Sequence, residues 1–196
     1  MRLFTVCLIL LPLAVAACSG AETVKKDEMM PDPIAPAAGG GALIVEKGDV
    51  SGDGQPDVWG YYKEVPDPAN PKILAKVLVK KEADLNFDGR KDILREFDGE
   101  GVLRREEVDL DFDGKLDEIV NYENGILKVK EVFRAGSSRP FIWRYFDEGK
   151  MNRLDRDDDG DGRADYCELW YAGEKLSKRG WDKDGNGECD YWENAD

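Results

Sequence analysis

The chain of 196 residues contains no histidine. Ser-His-Asp triads, imidazole general bases and imidazole metal ligands are therefore excluded, and most hydrolase and metalloenzyme designs go with them. Basic residues are in deficit as well, 28 Lys and Arg against 42 Asp and Glu, for a formal net charge of -14. With no basic stripe carrying interleaved aromatics, a nucleic-acid reader is excluded and a cation-binding or simply soluble protein is favoured. Long apolar runs are missing too. Only residues 3 to 17 form one, and it is too short for an ordinary membrane span. No nucleophile or paired-acid constellation stands out, so a non-enzymatic protein is expected.

What is present is a periodic arrangement of acidic loops. DVSGDGQPD begins at Asp49, DLNFDGRKD at Asp84, DLDFDGKLD at Asp109, DDDGDGRAD at Asp157 and DKDGNGECD at Asp182. The starts are 35, 25, 48 and 25 residues apart, a period of about 24 once the long interval is halved. The midpoint of that interval is FRAGSSRPF, a degenerate sixth unit with Phe133, Ala135, Ser137 and Phe141 where the others carry oxygen ligands. The first interval is lengthened by the proline-rich VPDPANPK, residues 65 to 72. Each loop is followed by a short run rich in Val, Ile, Leu and aromatics, a turn containing Gly, and a second such run, which predicts a β-hairpin. Asn124-Gly125 is the strongest of these turn signals. The expected fold is all-β: an antiparallel meander of about six hairpin units over residues 42 to 196, acidic loops at one edge and hairpin turns at the other.

Each loop follows Asp-x-[Asp/Asn/Ser]-x-[Asp/Asn]-Gly-x-x-Asp. Oxygens at positions 1, 3 and 5 converge when Gly at position 6 permits a sharp turn, while position 7 offers a carbonyl and position 9 a further carboxylate. The candidate ligands are Asp49, Ser51, Asp53 and Asp57 in the first loop, Asp84, Asn86, Asp88 and Asp92 in the second, and Asp109, Asp111, Asp113 and Asp117 in the third. The fourth offers Asp157, Asp159, Asp161 and Asp165, and the last Asp182, Asp184, Asn186 and Asp190. Six aspartates lie between positions 155 and 165, a density that repels itself unless a cation intervenes. An oxygen-only set of this size and flexibility selects Ca²⁺ over zinc, copper or magnesium.

Several resemblances follow from these residues. The last two loops reach Glu168 and Glu193 at position 12 and so resemble EF-hand loops, which implies a bidentate carboxylate there. The first three carry Gly60, Arg95 and Val120 at that position and resemble the nine-residue calcium loops of FG-GAP repeats. Dockerin modules place helices after similar loops, so a helical pair at the C-terminal end is the alternative to hairpins. YENGILKV and FDGEGVLRRE resemble MORN-like hairpins.

The first residues read as an export signal, 1 to 17, and Val15-Ala16-Ala17-Cys18 resembles the bacterial lipobox. The resemblance implies lipidation of Cys18, removal of the preceding residues, and a tether over 18 to 41 holding the domain to the cell envelope; Ser19 goes with outer-membrane delivery. A plain secretory signal cut near Ala17 is the alternative. Beyond the signal and Cys18, Cys167 and Cys189 remain, and an oxidising compartment favours their pairing over two buried free thiols. The expected partners are calcium, the membrane through the lipid, and an envelope glycan or protein. Trp59, Tyr61, Trp143, Tyr145, Trp170 and Trp192 recur just after the loops, as cross-strand packing or as a carbohydrate-binding face.

Overall fold

A computed structural model of the protein describes residues 42 to 171 and 173 to 195. The signal at 1 to 17, Cys18 and the tether at 18 to 41 lie outside the described residues.

Twelve strands form one antiparallel sheet in strict sequence order. They are β1 (Ile44–Gly48), β2 (Val58–Pro66), β3 (Leu74–Ala83), β4 (Ile93–Phe97), β5 (Leu103–Val108), β6 (Glu118–Glu123), β7 (Ile126–Phe133), β8 (Pro140–Asp147), β9 (Lys150–Arg156), β10 (Tyr166–Tyr171), β11 (Lys175–Trp181) and β12 (Tyr191–Asn194). This is the meander of hairpins that the period predicts. The C-terminal helical pair is not formed: residues 166 to 181, with β-favouring Tyr, Trp and Leu and interruptions at Gly173 and Gly180, make β10 and β11. Among the described residues no helix is long and apolar enough to cross a membrane.

Because strand direction alternates, one end of the sheet carries every acidic loop and the degenerate 134–139 connection, and the other carries the turns. Asn124 and Gly125 (φ 51° and 76°) and Glu148 and Gly149 (φ 47° and 77°) form two-residue turns whose positive φ matches the twist of the flanking strands. Near this end each of five hairpins shifts register by one residue, and an aromatic then faces an aliphatic partner: Tyr62 with Leu78, Phe97 with Leu103, Tyr122 with Leu127, Phe146 with Met151, Trp170 with Leu176. The sequence period is thus a period of strand register.

Each strand packs only against its sequence neighbours, and β1 and β12 do not meet, so the sheet is open. Among the described residues no second layer of strands or helices covers it. Long basic side chains take that role, laying their aliphatic stems and charges over aromatic rings: Lys91 over Trp59, Arg153 over Tyr145, Arg156 over Tyr166. The buried apolar groups, including Ile119, Val129, Trp143, Tyr145 and Tyr166, concentrate in the middle strands. Cys167, fully buried on β10, is disulfide-bonded to Cys189 in the last acidic loop, tying the final hairpin to its neighbour.

Candidate metal centre

The acidic loops share one backbone design. Except at Asp109, the carboxylate at position 1 accepts two main-chain N–H groups of its own loop. Oδ1 takes the N–H of position 4, as in Phe87 to Asp84 (2.7 Å), Gly160 to Asp157 (2.6 Å) and Gly185 to Asp182 (2.8 Å). Oδ2 takes that of position 6, as in Gly54 to Asp49 (2.9 Å), Gly114 to Asp109 (2.7 Å) and Gly162 to Asp157 (2.8 Å). This wrapping needs positive φ at positions 4 and 6. Glycine supplies it everywhere at position 6, whereas Phe87 and Phe112 adopt φ 63° and 61° at position 4.

The carboxylate at position 9 closes the loop from the far side. Asp57 Oδ2 accepts the N–H groups of Val50 and Ser51, both at 2.7 Å, and Asp92, Asp117 and Asp165 accept the equivalent pairs. In Asp57 the bond from Ser51 is the largest influence, and it holds the carboxyl below its ordinary range against the opposing effect of burial. Position 5 caps position 7 through Asp53, Asp88, Asp113, Asp161 and Asn186. The Arg90 N–H lowers Asp88 in this way, and the Lys115 ammonium lowers Asp113.

Two loops bring three carboxylates together so that one oxygen from each lies within 4.8 Å of the others: Asp109, Asp111 and Asp117, and Asp157, Asp159 and Asp165. These are positions 1, 3 and 9, and such a triad could hold a metal ion. The other loops form no such triad of acids. Ser51 in the first and Asn86 in the second replace the acid at position 3, where Ser51 Oγ instead lies 3.4 Å from Asp49 Oδ1 and Asn86 bonds Asp88. In the last loop Asp182, Asp184 and Asp190 form no such triad. Among the described residues Asp190 accepts the Lys183 N–H and no second one, and Asp184 donates its main-chain N–H to Asp182.

One atom stands apart. Asp109 is 7% exposed, and its Oδ1 is buried with no hydrogen-bond partner. The bond from position 4 that satisfies Oδ1 in Asp84, Asp157 and Asp182 is not made here. A buried acceptor left in this state costs about 1–3 kcal/mol, more when it bears charge.

Position 12 is engaged along its own strand. Glu168 accepts the Tyr166 hydroxyl (2.9 Å) and the Trp170 Nε1–H (3.0 Å), and Glu193 accepts the Tyr191 hydroxyl (2.9 Å). In an EF-hand the chain turns into a helix after the loop. Here it runs on as strand, which carries position 12 roughly 10 Å past position 9 and onto the opposite face.

A second acidic element escaped the loop pattern. Two residues before the loops, the register aligns Glu82, Glu107, Glu131 and Asp155 on one face of alternate strands, with Leu94, Ile119, Trp143 and Cys167 between and after them. Glu82 and Asp155 are buried and paired. Lys80, Lys91 and the Tyr61 hydroxyl hold Glu82, and Arg153 Nε donates to Asp155 at 2.6 Å. Arg105 bonds Glu107 at 2.9 Å. At the matching place before Glu131 stands Val129, and burial raises the Glu131 carboxyl against the opposing charge of Arg105. The sequence signal was an acid at the second residue before a loop, preceded two residues earlier by Lys or Arg at Glu82, Glu107 and Asp155.

The degenerate unit keeps the backbone while losing the acids. Phe133 donates its N–H to the Asp117 carbonyl (2.8 Å), and the Phe141 carbonyl accepts from Asp157 (2.9 Å), as Asp182 bonds Asp165 in the next unit (3.0 Å). Arg134 stacks on Phe141 and donates to the Asp157 carbonyl at 2.8 Å, so this unit supplies a cation of its own.

No protein-family profile, curated protein or solved structure matches the chain.

Proposed function

We propose that the chain is a non-catalytic, lipid-anchored protein of a bacterial cell envelope that binds calcium through its acidic loops, and that the metal stiffens the repeat array. Asp109 Oδ1 carries the reading. A buried carboxylate oxygen without a donor, beside Asp111 and Asp117, gains its missing partner when a cation bridges the three. The triad at Asp157, Asp159 and Asp165 offers the same donors. All are hard oxygen ligands on a flexible loop, which suits calcium better than zinc or copper. The anchor rests on Val15-Ala16-Ala17-Cys18 alone, and intact mass of membrane-extracted protein tests it through the acyl increment on Cys18.

Metal that binds only the folded chain stabilises it by about 2.7 kcal/mol per site at a hundredfold excess over Kd. Calorimetric titration with calcium is expected to show binding that weakens in Asp109→Asn and in Asp159→Ala, with a higher melting temperature in calcium than in chelator. Equal melting temperatures in both, with no heat of binding, would overturn the reading.

A further inference from the structure

The two outer strands of the open sheet are complementary to each other. With an even number of strands, β12 of one copy and β1 of a second run antiparallel when the second continues the sheet of the first. Inside the chain, successive acidic loops are joined by one recurring bond, from the N–H of position 1 to the carbonyl of the preceding position 9: Asp84 to Asp57 and Asp109 to Asp92, both at 2.8 Å, and Asp182 to Asp165 at 3.0 Å. By the same repeat, the Asp190 carbonyl beside β12 and the Asp49 N–H beside β1 are the groups aimed outward at the two edges of the described sheet.

The side chains continue the pattern. In the register of β2 on β3, Tyr191 would face Gly48 of the second copy and Trp192 would face Lys47. Tyr191 is 47% exposed and ends an apolar row that runs through Tyr166 and Trp181. Beside β1 lies a groove of about 310 Å³, lined by Gly48, Val58, Gly60 and Leu78 among others. A Cβ added at Gly48 would meet nothing within 4 Å. An aromatic ring over a facing glycine is already used within the chain, where the Trp192 ring lies against Gly180, 2.7 Å from the place a Cβ would take. Lys47 would then sit between Trp59 of its own chain and Trp192 of the other. Neither β1 nor β12 contains a proline or a register shift that would block such pairing.

We propose that β1 and β12 form a head-to-tail interface between copies of this chain, seating Tyr191 of one copy in the Gly48 groove of the next. Such a contact is heterologous and does not close on itself, so it propagates the sheet from copy to copy. The net charge and the facing of Glu193 to Glu46 oppose it, so association strengthens with ionic strength. It requires no metal.

The test is sedimentation of the full chain across a wide concentration range at about 0.15 M salt, together with Lys47→Pro. That substitution removes an outward N–H of β1 and leaves the bonds from β1 to β2 intact. Oxidative cross-linking of Gly48→Cys mixed with Tyr191→Cys adds an independent readout, because residues facing across a non-hydrogen-bonded pair lie within disulfide reach. The unsubstituted chain, with its own cysteines, sets the background. The proposal expects concentration-dependent oligomers that Lys47→Pro abolishes, and cross-linked dimers in the mixture but in neither variant alone. A chain monomeric at every concentration, an assembly that Lys47→Pro leaves intact, or cross-linking as strong in the separate variants as in the mixture would overturn it.

Discussion

Arg163, at position 7 of one acidic loop, donates from Nη1 to the carbonyl of Gly185, at position 4 of the next, over 2.8 Å. The same reach recurs from Arg139 to the Asp161 carbonyl at 3.2 Å, and Arg90 lies against Gly114. Where position 7 is Arg it thus belongs to two loops: its backbone is capped by its own loop, and its side chain reaches the neighbour. In a sheet where each strand touches only its neighbours, such links let one loop feel the order of the next.

Arg163→Ala should therefore loosen the loop at 182 to 190 more than its own. The side chain is exposed, so the expected global cost is small, about 1 kcal/mol for one hydrogen bond. Hydrogen exchange is the sensitive measure. The N–H groups of Gly185 and Gly187, both bonded to Asp182, should exchange faster in the variant, while those of Gly89 and Gly114 should not change. Uniform acceleration at all four would show that the bond acts on the whole sheet.

Glu82 makes stability depend on acid. Burial opposes its ionisation, but Lys80, Lys91 and the Tyr61 hydroxyl outweigh burial and hold its carboxyl at about 2, against an ordinary 4.5. A folded value below the unfolded one gives stability that is full above pH 4.5 and is lost as pH falls toward 2. The partner lysines are partly exposed, which discounts the effect to roughly 2 kcal/mol. Glu82→Gln should melt earlier than the parent at neutral pH and converge with it near pH 2. A constant difference across that window would mean that lost packing, not charge, is responsible.

The opposite sign is expected one repeat further on. At Glu131 burial wins, because Val129 stands where Lys80, Arg105 and Arg153 stand in the equivalent units. A carboxyl raised in the folded state contributes stability at low pH that is lost as pH rises through its folded value. Glu131→Gln, neutral and nearly isosteric, should raise the melting temperature at neutral pH and have little effect in acid. A Gln variant less stable at every pH would indicate that the carboxylate has a neutral-pH partner more favourable than burial is costly.

Most of the fold was legible because its determinants are local. Asn124-Gly125 fixes a turn by itself, and the Asp and Gly spacing of each loop fixes a wrapped backbone within nine residues. Even FRAGSSRPF was recognisable by its place in the period, although Phe133 and Phe141 replace the acids. Position 12 takes part in contacts that counting along the chain does not show. Counting along the chain treats Glu168 as a loop ligand, whereas strand geometry turns it toward Tyr166 and Trp170. The row from Glu82 to Asp155 was missed because it exists only across strands, and pairing register is not written in any one segment. The orphaned oxygen of Asp109 was beyond reach as well, since both its loop and that of Asp84 carry Phe at position 4 and yet only Phe87 makes the bond to the position-1 carboxylate.

The link between Cys167 and Cys189 sets where the sheet comes apart first. β12 is only four residues long and among the described residues pairs with β11 alone, whereas β11 pairs with β10 along its length, so the disulfide is the direct link from the last acidic loop to β10. Closing a separation of 22 residues restricts the unfolded chain by about 3 kcal/mol in the loop-entropy account. Because contacts run only between neighbouring strands, that contribution should be felt locally. The Cys167→Ser/Cys189→Ser double variant is expected to lose hydrogen-exchange protection over β11 and β12 by an amount corresponding to a few kcal/mol, while β3 to β6 keep theirs. Reduction of the unsubstituted chain should reproduce the pattern. Equal loss of protection from β2 to β12 would instead show that the twelve strands open as one cooperative unit, with the disulfide stabilising all of them alike.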